Sequence, residues 1–469
     1  MSKKIMIIGF DDKAKAIAAL IQNRPQLNME VVDFWEYNPV NKGSYTINEI
    51  SFDLPNELTL MKIDIVIFAT DTNCSDIFGY DIIPPSIKRY EIKDFYKKVL
   101  KEEYNEKKKI THVSRYASPY VGGIESVIDQ INSGLPEERF DKEVICCSNT
   151  DKSSIDNGVK FTRCKFLFEF AANTISPSFL LQLSKVKTDI LHYHMPFIFA
   201  VICHFIARPK YKKLYISYHG DIIGYDRYMK YFMGMYKYFF KKADIIHVLS
   251  PRAIELDNKL QMNRDKCRIV PFGVELENLC SEEEVLNCKK SYGDKKIIFC
   301  IGRFVHLKGF IYAIEAMKYV EGAILLLAGD GKLKEEYETY IRENNLQEKV
   351  KLLGFVTDKR QKELFYRICD IFILPSIRTE AFGIVQLEAM KQGKPVINTN
   401  LGTGANYVSV GNETGLSVEP KNPIELARAI NKLLNDEKLR LRLGQNARKR
   451  VEELFDIKKV QELYNEMYN

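Results

Sequence analysis

Short apolar runs alternate with longer amphipathic stretches along almost the whole chain. Over 1–105 the runs KKIMIIGF, MEVVDF and IDIVIFAT read as strands, and DDKAKAIAALIQN between the first two reads as a helix. That rhythm predicts a small α/β unit with a parallel sheet, closed by a charged linker helix over DFYKKVLKEEYNEKKK. A second unit, 106–290, restarts with a strand, a Gly-Gly turn and a helix in ITHVSRYASPYVGGIESVIDQI. It continues through EVICCS, DILHYH, KLYISYHGD and ADIIHVLS. A third, 291–469, opens on KKIIFCIGRF, repeats the rhythm through AILLLAGDG, KVKLLGFV, DIFILPS and GKPVINTN, and closes on charged helices. The expected fold class is α/β. Two doubly wound units whose strand ends face each other leave a cleft where ligands bind.

Composition narrows the class. At 469 residues, 46% hydrophobic and 28% charged, the chain reads as ordinary globular protein of two or three domains. The apolar run near the N-terminus is too short for a signal peptide and leads into DDKAK, so it reads as a strand. Ten cysteines without a CxxC pair suggest buried thiols in a reducing, cytoplasmic setting. Charge is uneven: nine Lys/Arg face two Asp between Phe205 and Lys242, an excess equal to the whole chain's +7, with tyrosines and phenylalanines interleaved. That stretch, read as helical, suits an anionic membrane surface or a phosphate-bearing ligand. It equally suits a half-buried helix with solvated lysines. No helix-turn-helix, zinc-finger or RNA-binding signature accompanies it, so nucleic acid is not an expected partner.

Candidate chemistry is densest in the third unit. Gly302-Arg303 follows a strand, and Lys308-Gly309 precedes a helix, an arrangement that can hold a diphosphate. After DIFILPS, Glu380 and Glu388 bracket the uncharged AFGIVQL, a spacing that would set both near one face of a helix. In a cleft Glu388 could accept from a ribose diol and Glu380 from sugar hydroxyls, while Gly383 opens the helix amides to phosphate. The bland alternative is a pair of solvated glutamates. In the second unit Gly122-Gly123 form a tight turn, and His192 and His194 end a strand on one sheet face, with His219 ending the next. Zinc is not expected there, because neither CxxC nor HExxH accompanies the pair. The other histidines, His112, His204, His247 and His306, read as structural. In the first unit a dinucleotide fingerprint fails, since Asp11 and Lys15 stand where glycines belong after Gly9, although Asp33 sits where a ribose ligand would.

GRFVHLKGF, LLLAGDGKL, KLLGFV, PSIRTEAFGIVQLEAMKQGKPVI and ETGLSVEP together resemble the C-terminal half of retaining GT-B glycosyltransferases of family four, whose hallmark is this E-x7-E spacing. The likeness covers about 111–469, and NTNLGTGANYVSVGNETGL resembles bacterial O-antigen or capsule mannosyltransferase-like members. It implies a GT-B fold of two facing Rossmann-like domains, here with an additional small N-terminal α/β domain. It further implies that Arg303 and Lys308 hold the donor diphosphate, stabilising the leaving nucleotide. By the same likeness Gly302 lies beside the phosphates, and Gly354, Phe355 and Val356 flank the base. Phe382, Gly383 and Ile384 offer amides to phosphate and sugar, Glu380 binds the transferred sugar, and Glu388 takes the ribose. Gly122 and Gly123 let donor and acceptor approach, His194 contacts the sugar, and His219 faces the same cleft.

The reaction implied is retaining transfer of a hexose, such as mannose, from a GDP- or UDP-linked donor to a lipid-linked or oligosaccharide acceptor, in bacterial surface polysaccharide synthesis. No D-x-D triplet occurs, so no metal and no cofactor are expected. The departing phosphate would take the acceptor's proton, leaving neither glutamate as acid or base. The expected place is the cytoplasm, peripheral on the inner membrane face through 205–242. A non-catalytic GT-B scaffold or sugar-nucleotide-binding subunit is the alternative.

Overall fold

A computed structural model describes 107–469 apart from 121, 171–172, 221–225 and 379. Over 226–231 it describes the backbone, and before 107 it describes short strand segments and single positions. The chain divides into two compact units, Met1–Glu106 and Lys107–Asn469. In the first, β1 (Lys3–Ile8), β2 (Met29–Trp35), β3 (Ile65–Phe68) and β4 (Lys88–Glu91) form a sheet of order β2-β1-β3-β4, parallel throughout. Asp33 lies in β2, opposite Met6 of β1; Gly9, Asp11 and Lys15 lie outside the described residues. So does most of the expected linker helix. Its last lysines, Lys108 and Lys109, open a strand of the second unit instead.

The second unit carries two sheets. In the first are β5 (Lys108–Ser114), β6 (Phe140–Ser148), β7 (Lys152–Asp156), β8 (Val159–Lys165), β9 (Lys187–Met195), β10 (Lys210–Tyr218), β11 (Ile245–Val248) and β12 (Cys267–Ile269). Their order is β12-β11-β10-β9-β5-β6-β8-β7, parallel except for the edge strand β7. The second sheet holds β13 (Lys296–Ile301), β14 (Ala323–Ala328), β15 (Val350–Gly354), β16 (Ile371–Leu374), β17 (Val396–Thr399) and β18 (Gly415–Val418), in the parallel order β15-β14-β13-β16-β17-β18. Both have the doubly wound arrangement, in which strand order reverses beside the first strand of the fold. Strands buried on both faces need continuous apolar runs rather than alternation, as in AILLLA, buried at every position.

Five helices bear on the site: α1 (Gly123–Gly134), α2 (Asp226–Lys242), α3 (Phe310–Ala316), α4 (Ile384–Lys391) and α5 (Ile457–Tyr468). The basic stretch 205–242 is not one helix. It spans the strand β10 and then α2, because KLYISY is fully buried from Leu214 to Tyr218 and pairs with β9 and β11. Within α2, Tyr236, Phe239 and Phe240 are core residues, whereas Lys237, Lys241 and Lys242 are exposed. Helix α5, the last element, leaves the second sheet and packs on the first. Lys108 Nζ donates to the Asn469 carbonyl at 2.8 Å, and Asn465 donates to the Gly134 carbonyl at 3.1 Å. Among the described residues no helix is long and apolar enough to cross a membrane. The nine described cysteines are free thiols, seven of them buried.

Candidate functional site

The reversal of strand order in the second sheet lies between β13 and β16, and the loops that leave these two strands carry the candidate donor residues. Beyond β13 come Gly302 and the exposed Arg303, then a single 3-10 turn, His306–Lys308, that runs into α3. Gly309 joins turn to helix at φ +63°, and a Cβ there would stand 2.2 Å from the Pro375 carbonyl oxygen. Only glycine lets these two loops touch. A hydrogen bond from Ile377 N–H to the Leu307 carbonyl, 3.0 Å, completes the junction. Lys308 is thereby brought to Glu380: its ammonium lies 2.6 Å from Oε2, and Ser376 Oγ donates to the same oxygen at 2.9 Å. Ammonium and carboxylate form one half-buried wall.

The glutamate pair is arranged differently from the one-face helix expected. Helix α4 begins at Ile384, with Gly383 at φ +71° as its N-cap, so Glu380 belongs to the preceding loop and Glu388 to the helix. Left-handed backbone at Gly383 ends the loop, and no side chain caps the first amides of the helix. Glu388 pairs with Lys391 at 3.1 Å, one turn on. Phe382 is a core residue whose ring meets Phe455 edge-on at 5.9 Å, which anchors the loop. Gly354, the last residue of β15, turns at φ +72°, followed by Phe355, 65% exposed, and the buried Val356.

The first sheet brings its own glycine turn to this wall. A Cβ on Gly123 would stand 3.9 Å from Ile384 Cδ1, so the start of α1 approaches the start of α4. Glu125, in the first turn of α1, is not among the residues the sequence singles out. Burial raises its carboxyl pKa, while the charges of Arg303 and Arg115 oppose the rise. The carboxylate and Arg303 thus feel each other across the opening. Its position directly after Gly122-Gly123 is the signal that could have found it.

The histidines converge at the reversal point of the first sheet, between β5 and β9. His192 lies opposite His112 in register, and His194 follows on the same face. All three are buried, with ring nitrogens within 4.8 Å of one another, a spacing at which three imidazoles could hold a metal ion. Their hydrogen bonds form two chains. His247 Nε2 meets the Val270 carbonyl at 2.9 Å, so it must carry the proton. Its Nδ1 then accepts from Ser217 Oγ (2.7 Å), Ser217 accepts from His192 Nε2 (2.8 Å), and His192 Nδ1 accepts from the Tyr468 hydroxyl. In the second chain His194 Nε2 meets His112 Nδ1 at 3.0 Å, and His194 Nδ1 meets His219 Nε2 at 3.2 Å. Burial lowers the pKa of all five histidines, to about 3 for His112 and His219 and about 4 for His247, so the rings are neutral. His194 is 1% exposed with both nitrogens engaged, whereas His219 is half-buried. His112, His247, Ser217 and Tyr468 carry no sequence motif. Only the period-two placement of His112 on the first strand of the same sheet hints at them.

Known proteins share this plan. Residues 121–278 match the model described as Glycosyltransferase Family 4, and residues 281–450 match that of Glycosyl transferases group 1. The chain is 28% identical over 369 residues to O-antigen chain mannosyltransferase C of Escherichia coli, covering 77% of this chain and 98% of that protein. An uncharacterized glycosyltransferase of Methanocaldococcus jannaschii is 30% identical over 283 residues, 57% of this chain and 72% of that protein. Among solved structures, Anabaena HepE in complex with UDP superposes with a TM-score of 0.60 at 18% identity, over 77% of this chain and 99% of that one. Two doubly wound sheets of one unit, both family models in order and a relative at this identity agree: the chain belongs to the group 1 glycosyltransferases and has the GT-B fold.

Proposed function

We propose that the protein is a retaining hexosyltransferase that moves a sugar such as mannose from a GDP- or UDP-linked donor to a lipid-linked or oligosaccharide acceptor of a surface polysaccharide. The observation that carries the reading is the Lys308–Glu380 wall at the reversal point of the second sheet, facing the Gly122-Gly123 turn of the first. In this reading Arg303, Lys308 and the free amides of Gly383 and Ile384 receive the diphosphate. Cationic side chains aimed at the leaving nucleotide stabilise charge that grows in the transition state. Glu380 accepts from hydroxyls of the transferred sugar and Glu388 from the ribose. Gly354, Phe355 and Val356 flank the base. The departing phosphate oxygen takes the acceptor's proton, and neither glutamate moves one. The mannosyltransferase name of the Escherichia coli relative supports the hexose, and the UDP held by HepE supports a nucleotide donor.

The membrane part of the reading rests on Arg208 and Lys242, which with His204, Phe205, Tyr211 and Tyr238 line a cavity of about 360 Å³. Exposed Tyr238 and Phe232 lie on the same helix. Cations beside aromatic rings suit an anionic headgroup surface at the inner face of the membrane.

Thermal-shift screening of UDP- and GDP-sugars, followed by product analysis with the best binder, tests the donor site. Glu380→Ala is expected to stay folded and lose turnover by on the order of 100-fold. Lys308→Ala should weaken donor binding and slow transfer together, because its charge serves both ground and transition states. Unchanged turnover in Glu380→Ala would sink the site. Donor binding without product from any acceptor would favour a non-catalytic scaffold.

A further inference from the structure

The cavity that holds Arg208 and Lys242 has no acidic residue in its lining. Among the described residues neither cation makes an ion pair. Lys242 Nζ lies over the Tyr238 ring, 5.3 Å from its centroid. Asp244, whose charge reaches the lining residue Tyr211, accepts from the Leu214 N–H at 2.7 Å and stands outside the lining. His204 is 8% exposed, with its ring nitrogens 3.0 Å from the Tyr193 hydroxyl and 3.4 Å from that of Tyr211. Burial and the Lys242 charge lower its pKa to about 4, so the ring is neutral and adds no charge of its own.

Both cations stand at helix ends. Arg208 follows the helix Ile198–Ala207 in left-handed backbone, φ +49°, and its N–H donates to the His204 carbonyl at 3.0 Å. Lys242 is the last residue of α2. A helix C-terminus carries about half a negative charge, so two cations beside two such ends leave about one positive charge at the cavity. A phosphodiester, with its single negative charge, matches that. A phosphomonoester, at about −1.5 to −2, exceeds it. A guanidinium fork, an ammonium and the Tyr211 hydroxyl are donors suited to phosphate oxygens. The phosphate is not the sugar donor's. Arg208 and Tyr211 flank the start of β10, whereas the loop carrying His219 leaves its far end, and a nine-residue strand spans roughly 26 Å. Ile206, 63% exposed, and Tyr238, 49% exposed, add apolar surface beside the opening, as a membrane interface favours.

We propose that this cavity binds the phosphodiester headgroup of one anionic membrane lipid, at a site separate from the nucleotide-sugar cleft. The inference deepens the membrane part of the proposed function and rests on it for the lipid source. In place of a diffuse basic surface it puts a built site for a single ligand.

The test compares two variants of the full-length protein that lose equal charge. Arg208→Asn with Lys242→Gln empties the cavity of cations, and asparagine suits the left-handed backbone at 208. Lys237→Gln with Lys241→Gln removes two cations from α2 outside the cavity lining. Both should weaken co-sedimentation with phosphatidylglycerol–phosphatidylcholine vesicles, since any lysine near an anionic surface contributes. The cavity pair is expected to lose on the order of tenfold more affinity than the other. Equal losses, with the parent still bound, would overturn this inference alone and leave the membrane reading standing. The soluble headgroup glycerophosphoglycerol should give saturation-transfer NMR signals with the parent and none with the cavity pair. Signals that persist in the cavity pair would overturn the site, and tighter binding of glycerol 3-phosphate would overturn the diester assignment. A parent that binds glycerophosphoglycerol in the cavity but no vesicles would overturn the lipid source, and the membrane reading with it.

Discussion

His112 and His247 are buried bases held neutral, at pKa values of about 3 and about 4 against an ordinary 6.5. Below 6.5 the unfolded chain binds protons that the folded chain refuses, so stability falls as pH falls, down to the folded pKa values. Each fully buried ring should contribute a loss of about 1.4 kcal/mol per pH unit in that window. His192 and His194 shift in the same direction, again mainly through burial, while Glu125 and Asp129, raised mainly by burial, oppose the trend nearer the carboxylate range. Urea midpoints should therefore be level from pH 8 to 7 and drop steeply from 6.5 to 5. A level profile down to pH 5 would show that these rings are not buried neutral. At this scale the sequence is most informative where a residue is tied to a glycine turn or a motif, as with Lys308 and Glu380. It is mute where a role depends on hydrogen bonds across strands. His112 and His247 read as structural because nothing local distinguishes a histidine that ends a chain from one that fills a core.

Helix α5 shows what one element can hold together. Its Tyr468 hydroxyl donates to His192, the main-chain carbonyl of Met467 accepts from the Tyr215 hydroxyl at 3.2 Å, and its Tyr464 ring meets His247 edge-on at 5.5 Å. Tyr468→Phe keeps the ring against Phe140 but leaves His192 Nδ1 bare and buried. Chemical denaturation should report a loss of about 1–3 kcal/mol. A variant as stable as the parent would mean that the chain from Tyr468 to Val270 contributes nothing. The strand and helix rhythm of this region is legible from periodicity. The helix boundary at Ile384 is not, because AFGIVQL is uncharged and mostly apolar, and only the left-handed turn at Gly383 separates loop from helix. The basic stretch 205–242 likewise reads as one helix although it is a strand and a helix. Its lysines and tyrosines carry no period that distinguishes an exposed strand end from a helix face.

For the whole molecule, the units Met1–Glu106 and Lys107–Asn469 have separate cores, and the family models begin at residue 121. A protein starting at Lys107 should therefore fold with a melting temperature within a few degrees of the parent for that transition, and keep its donor-induced thermal shift. Loss of that shift would assign the first unit a part in donor binding. What the amino-acid sequence determined alone was the βα rhythm, the parallel sheets, the family and the residue types of the Lys308–Glu380 wall. These follow from hydrophobic periodicity and from short motifs whose members are neighbours along the chain. Which side chains meet was decided only by tertiary structure. Strand order places His112 of β5 beside His192 of β9, the junction at Gly309 carries Lys308 to Glu380, and α5 returns to the first sheet with Tyr468. Those contacts join residues tens to hundreds of positions apart, and no local pattern encodes the loop closures that make them neighbours.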